Sequence, residues 1–224
     1  WRNLNYLHVI CSHLLITTYH VEPCLKVITT ITMPETISHP ITFDLIAAVD
    51  EKLGIGKNGV LPWKIKKEMA FFTTMTKTSS KPGKRNVVLM GRNTWESIPD
   101  EFRPLPGRLN VVLSRTARES TDDVLFFLDL GSALKYLENN HSSVDRVWII
   151  GGARVYKESM EHRCCRKIYL TEIEGDFGCD VFFPEIPPNF TKLEDHGDEA
   201  GAVPIEEQDE NNIKYRFSIY QKRA

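Results

Sequence analysis

Glu68 is the only acidic side chain between Glu51 and Glu96, inside a stretch, residues 52–95, that holds ten Lys/Arg. At helical spacing it shares a face with Ile65 and Phe72. A carboxylate on an apolar face is costly to bury unless it is paired, and burial pushes its pKa upward, toward the range of acid–base work. Taken alone, such a Glu is more often a solvated residue at a helix edge. Arg108 closes the segment Pro104-Leu-Pro-Gly-Arg108, just ahead of an apolar run. Its planar fork matches a carboxylate, although an Arg at a strand start needs no function. Two glycine-led segments, Gly91-Arg-Asn-Thr94 and Gly151-Gly-Ala-Arg154, directly follow apolar runs. Helices starting there would turn free N–H groups and a positive dipole end toward an anion such as phosphate, with Arg92 and Arg115 flanking them.

One spacing misleads. Gly54-Ile-Gly56-Lys-Asn-Gly59 satisfies G-x-G-x-x-G after an apolar run. A dinucleotide fingerprint must also open a helix and meet an acid about 20 residues on. Pro62 interrupts after Val60 and Leu61, and the zone near Thr76 holds no acid. The segment therefore reads as a flexible loop that could lie over a ligand, its glycines permitting unusual backbone angles.

The elements that must position these residues come from ordinary globular composition. The 224 residues are 42% apolar and 26% charged, enough for one large domain or two small ones. Lys+Arg number 28 against Asp+Glu 30, which argues against a dedicated nucleic-acid binder. No apolar run approaches the roughly 18 residues of a membrane span. Residues 185–212 hold nine acids and one base, Lys192, opposite in sign to residues 52–95. A local basic excess on a near-neutral chain suggests a small anionic ligand. The five cysteines show no zinc-type spacing, and Cys164 and Cys165 read as reduced, small apolar residues. The N-x-[ST] triplets at Asn140 and Asn189 are then unused, as in a cytoplasmic protein.

Residues 1–32 do not match the rest. Position 1 is Trp, Met33 is the first methionine, and His8, His13 and His20 break the apolar character. The stretch fits neither a signal peptide nor a mitochondrial presequence. The expected organisation is a leader over 1–40, unstructured or non-native, and one domain over 41–224. Within that domain the runs Phe43–Val49, Asn86–Met90, Leu109–Leu113, Val124–Leu128, Val147–Ile150 and Ile168–Ile173 read as strands buried on both faces. Lys214–Lys222 alternates and reads as an antiparallel strand near an edge. Helices are expected at Ile65–Phe72, Arg92–Ser97, after a Ser132 cap, and over Ala153–Met160. The result is a single α/β domain with a mostly parallel sheet and a closing antiparallel hairpin.

The ordered series GIGKNGVLPW, Glu68, MGRNTWESIP, PLPGR, LSR, WIIGGARVY and DVFFP resembles dihydrofolate reductase, the vertebrate type more than the bacterial. The resemblance runs from about Phe43 to Lys222. It implies an eight-stranded twisted sheet flanked by about four helices, usually a monomer, reducing 7,8-dihydrofolate to tetrahydrofolate with NADPH and binding antifolate-type small molecules. It implies no membrane and no obligatory nucleic-acid partner. On this likeness Glu68 binds the pterin and promotes protonation at N5, Thr171 fixes the carboxylate, and Trp63 acts through an ordered water. Ile46, Ala48, Met69 and Phe72 would be pocket walls, and Arg108 would clamp the carboxylate of the glutamyl tail. The cofactor would be held by Ala48, Gly54, Ile55, Gly56, Gly59, Arg92, Asn93, Thr94, Ser114, Arg115, Gly151, Gly152, Ala153, Arg154, Val155 and Tyr156. Arg92 and Arg115 would sit near the 2′-phosphate, and Gly151–Gly152 matches a pair joined by a cis peptide.

The chain departs from the family pattern in three places. Lys64, Ile65 and Lys66 make the stretch from Trp63 to Glu68 one residue shorter and remove its prolines. Met69 replaces a frequent Phe, and Phe102 a polar group. The alternatives are a same-fold pyrimidine reductase and a non-catalytic folate- or RNA-binding protein. Glu68, Arg108 and the Leu-Pro-Trp loop disfavour the first; intact Glu68, Trp63 and Gly151 disfavour the second. A fused thymidylate synthase is not expected, because Ala224 follows closely on the final run.

Overall fold

The computed structural model describes residues 8–11, 14–17, 30–32, 41–116, 118–194, 204 and 206–223. They divide into two compact units, Trp1–His39 and Pro40–Ala224. In the first unit β1 (His8–Cys11), β2 (Leu14–Thr17) and β3 (Thr30–Thr32) pair antiparallel in that order. The sequence suggested no regular structure there. The strands follow the β-branched content of these segments, Val, Ile and Thr, which favours extended backbone.

The second unit runs β4 (Phe43–Val49), β5 (Gly54–Gly56), α1 (Lys66–Lys77), β6 (Arg85–Gly91) and α2 (Arg92–Ser97). It continues with β7 (Arg108–Leu113), β8 (Val124–Phe127), α3 (Leu130–Asn139), β9 (Val144–Ile149), α4 (Ala153–Glu161) and β10 (Cys165–Ile173). It closes with β11 (Val181–Phe182), β12 (Phe190–Lys192), β13 (Gln208–Glu210) and β14 (Ile213–Lys222). The central sheet has the order β12-β14-β10-β4-β9-β6-β7-β8, with β13 also on β14. Strands β10, β4, β9, β6, β7 and β8 are parallel neighbours, and β14 runs antiparallel to β10, β12 and β13. The alternating strand β14 lies one place in from the edge. Asn211 and Asn212, at φ +58° and +61°, make the two-residue turn that joins β13 to β14.

Strand period two divides the apolar runs between two cores. Leu45, Val87, Leu89, Val111 and Ile149 face one way, onto Leu134, Leu137 and Met160. Ile46, Val88, Met90, Val112 and Trp148 face the other way, toward Trp63, Trp95 and Phe217. Both faces being covered explains why the parallel strands read as unbroken apolar runs rather than alternating ones.

Because β4, β6, β7, β9 and β10 are parallel, their carboxyl ends share one edge. The residues that leave them there are Ala48 and Val49, Gly91, Ser114, Ile150 and Thr171 to Ile173. Ligands of open parallel sheets bind in the crevice outside those ends. The G-x-G-x-x-G segment forms β5 and a tight turn, with Lys57 and Val60 bridged, and no helix follows until Lys66. The dinucleotide fingerprint is absent in fact as well as in context.

The start of α3 differs from expectation. Asp129 is its N-cap and accepts from the Ser132 amide at 2.8 Å, while Ser132 sits three residues in and completes a capping box. Serine and aspartate are both good caps; the one whose backbone is still extended wins, and that is Asp129 at φ −150°. Asp129→Ala is expected to cost about 1 kcal/mol of stability in urea unfolding and Ser132→Ala less. The opposite ranking would return the cap to Ser132.

Candidate active site

Helix α1 carries the site. Its third residue, Glu68, is only 6% exposed. Loss of water around the carboxyl pushes its pKa up to about 7; a long 3.5 Å hydrogen bond from the Thr171 hydroxyl opposes that rise. Thr171, 1% exposed, lies in register with Ala48 of β4 and Phe217 of β14, so three strands hold it in place. The sequence pairing of Glu68 with Thr171 is therefore present in space. Ile65 is buried and Phe72 half-buried on the same helix, as the spacing implied, whereas Met69 is 45% exposed.

Trp63 precedes the helix, buried, with its ring edge-on to Phe177 at 5.4 Å. Its indole Nε1 has no hydrogen-bond partner among the described residues. An orphaned buried donor is the chemistry of a site completed by water or ligand. The Tyr156 hydroxyl donates to the Ile46 carbonyl at 2.8 Å, and burial drives its pKa far above the usual phenol range, so it stays neutral.

Eight residues on from Glu68, about 12 Å along the helix axis, Thr76 marks the other end of the site. Its hydroxyl donates to the Phe72 carbonyl at 2.7 Å and accepts from Arg108 Nη1 at 2.8 Å. Arg108 also donates through Nε to the Pro106 carbonyl at 3.2 Å. It is 4% exposed and forms no ion pair with a carboxylate among the described residues; burial shifts its pKa downward. A desolvated guanidinium without a counter-ion is prepared for an anion. Leu61, Met69 and Phe102 are large, exposed apolar side chains on the segments that carry Trp63, Glu68 and Arg108.

At the carboxyl ends of β6 and β9 the two glycine-led segments meet, with the Gly91 amide donating to the Gly151 carbonyl at 2.8 Å. Gly151–Gly152 is a cis peptide, and Gly151 has φ +113°, a conformation that favours glycine. Gly91 caps α2 and Gly152 caps α4; neither helix has a side-chain cap or an acid in its first turn. Room beside Gly152 is tight, since a Cβ there would lie 3.1 Å from Thr94 Oγ1. Arg92, Asn93, Arg115 and Arg154 are exposed, and Ser114, Val155 and Tyr156 buried. Arg92 is engaged by Glu96 at 3.5 Å, a partner the sequence did not single out.

The family model for dihydrofolate reductase matches residues 42–222. The chain belongs to the dihydrofolate reductase family. The dihydrofolate reductase of Heliothis virescens is 45% identical over 81% of this chain and 98% of its own length. That of Sus scrofa is 45% identical over 79% and 96%. The solved dihydrofolate reductase of Schistosoma mansoni superposes with a TM-score of 0.70 at 39% identity, covering 82% of this chain and all of the other. Members of the dihydrofolate reductase family are oxidoreductases that generally use NADPH. No helix among the described residues is long and apolar enough to cross a membrane.

Several residues that shape this candidate site carried little or no signal in the sequence. Asp50 accepts from the amides of Lys52 at 2.9 Å, Gly54 at 2.7 Å and Phe177 at 3.2 Å. Burial disfavours its charge, but these donors outweigh burial and hold its carboxyl below the usual range. An Asp followed by a glycine turn was the available signal. Thr76 had only its place four residues after Phe72. Glu210, which accepts from two amides at the start of α1, had no local signal at all.

Glu68 binds its proton more tightly in the folded protein than in the unfolded chain. Its stabilising contribution is full below about pH 4.5 and is lost as pH rises through about 7, amounting to roughly 2–4 kcal/mol. Glu68→Gln is therefore expected to raise the melting temperature at pH 8 while leaving it nearly unchanged at pH 4.5. Equal effects at both values would show that Glu68 is solvated.

Proposed function

We propose that this chain reduces 7,8-dihydrofolate to 5,6,7,8-tetrahydrofolate with NADPH and so supplies one-carbon metabolism. The reading rests on one arrangement: a buried carboxyl and a buried guanidinium at opposite ends of α1, neither in an ion pair among the described residues. A folate has a pterin that presents N–H groups at one end and a carboxylate at the other. Glu68 receives the 2-amino group and N3 side of the pterin, with Thr171 orienting the carboxyl. Trp63 Nε1 holds an ordered water beside it. Ile46, Ala48, Met69 and Phe72 form the apolar walls, and Arg108 takes the α-carboxylate of the tail.

The residues at the β6 and β9 ends fit a phosphorylated cofactor: two glycine-led helix starts without side-chain caps or first-turn acids, and arginines nearby. NADPH, when bound, supplies the hydride. The first turns of α2 and α4, through Asn93, Thr94, Gly151, Gly152, Ala153, Arg154 and Val155, hold its phosphates. Arg92, Ser114 and Arg115 receive the 2′-phosphate that separates NADPH from NADH. Gly54, Ile55, Gly56 and Gly59 cover the site and exclude water, while Ala48 and Tyr156 back the nicotinamide. Glu68, near half-protonated at neutral pH, promotes protonation at N5.

Glu68→Gln tests this directly. Turnover at pH 7 is expected to fall by about 10²–10⁴ and to recover partly near pH 5, where solvent protonates the substrate beforehand. NADPH affinity, followed by fluorescence, should not change. Wild-type turnover at neutral pH would remove Glu68 from the chemistry. Arg108→Ala is expected to weaken dihydrofolate by about 2 kcal/mol and a pterin lacking the glutamyl tail hardly at all. Equal weakening of both ligands would show that Arg108 serves the fold.

A further inference from the structure

Helix α1 begins without a cap of its own. Ile65 occupies the N-cap position and has no side-chain acceptor, and Lys66 and Lys67 follow. The acceptor comes from the far end of the chain. Glu210 Oε1 accepts the Lys66 amide at 2.8 Å, and Glu210 Oε2 accepts the Lys67 amide at 2.9 Å. One carboxylate thus straddles two of the orphan donors of the first turn, and Glu68 is the next residue. Glu210 is itself held. It is the last residue of β13, paired with Ile213 across the Asn211–Asn212 turn.

We propose that Glu210 is a positioning residue for the reductase reaction, fixing the first turn of α1 and opposing the positive end of the helix beside Glu68. This rests on Glu68 being the proton-assisting carboxyl. The bonds to the Lys67 and Lys66 amides hold the Glu210 carboxyl below the usual range, so it is charged at neutral pH. The helix dipole alone would favour the Glu68 carboxylate; the Glu210 charge offsets that field.

Other groups around Glu68 do not substitute for it. From α1 itself, Lys66 and Lys67 are exposed. From β10, Thr171 is uncharged, and Glu172 is bound to Lys192, Ser218 and Tyr220. From α4 and β14, Tyr156 and Tyr215 are both held neutral. Lys214 and Arg216 of β14 pair with Glu207, and Arg85 of β6 pairs with Asp123. Asp209 of β13 is exposed.

The test is a carboxyl-carbon NMR titration of the full chain with labelled glutamate, the Glu68 signal being assigned by its loss in Glu68→Gln. In Glu210→Gln, nearly isosteric and still able to accept one amide, the Glu68 midpoint is expected to fall by about 0.3–0.7 pH unit, the size of one charge at a helix first turn. Turnover at pH 8 should drop about two- to fivefold, in step with that midpoint. Glu210→Asp, which keeps the charge, should return at least half of the shift. Glu207→Gln, an exposed acid of the same segment, should not move it. An unmoved Glu68 midpoint in Glu210→Gln, with or without a lower melting temperature, overturns the proposal and leaves Glu210 a cap only. A moved midpoint with turnover indifferent to Glu68→Gln would uphold the positioning and reject the catalytic role of Glu68.

Discussion

Removing water from a single carboxyl, that of Glu68, is the constraint on which the rest of this structure turns. Burial raises its pKa to about 7, and only one side-chain hydrogen bond, from Thr171, works against that rise. Residues 52–95 contain no second acid to share its proton, and the one brought to the same turn from elsewhere, Glu210, is tied to the Lys66 and Lys67 amides. A strong cationic partner would return the pKa to the ordinary carboxylate range, and no ion pair to Glu68 occurs among the described residues. The apolar shell that achieves this, Trp63, Ile65 and Phe217 among its members, belongs to one of the two cores. The site thus costs stability above neutral pH.

The helix starts show how the same backbone problem receives different solutions. All leave N–H groups unsatisfied. In α3 the answer is local, an Asp129–Ser132 capping box. In α1 it is remote, the carboxylate of Glu210. In α2 and α4 there is no side-chain answer, and glycine stands at both caps. The helices with satisfied starts serve the fold and the carboxyl. Those left open lie side by side at the strand ends, where an anionic ligand would complete them.

Loop placement depends on Asp50 in a similar way. Its carboxylate ties the turn before β5 to the segment around Phe177, and the Lys52–Asp176 ion pair lies beside it. The surface pair adds little energy. The buried carboxylate, accepting three amides, orients the glycine loop that leads into Trp63. Cys179 packs against Gly54 so closely that a Cβ there would meet its sulfur at 2.5 Å. Glycine at 54 is a packing requirement, whatever the loop covers.

The sequence alone determined the sheet, because residues buried on both faces must be apolar throughout and turns must carry glycine, proline or asparagine. Phe43–Val49, Leu109–Leu113 and Ile168–Ile173 were legible for that reason; Glu68 and Arg108, each ordinary when taken alone, stood out only through the ordered series of motifs that carries the family resemblance. It also ruled out the dinucleotide fingerprint, since Pro62 prevents a helix there. Tertiary structure alone decided that Glu68 loses its water, that Thr76 receives Arg108, and that Glu210, 142 positions beyond Glu68, caps its helix. The physical reason is common to these. Burial and partnership belong to surfaces brought together across the sheet, and a local window of sequence carries no record of what lies on the other side.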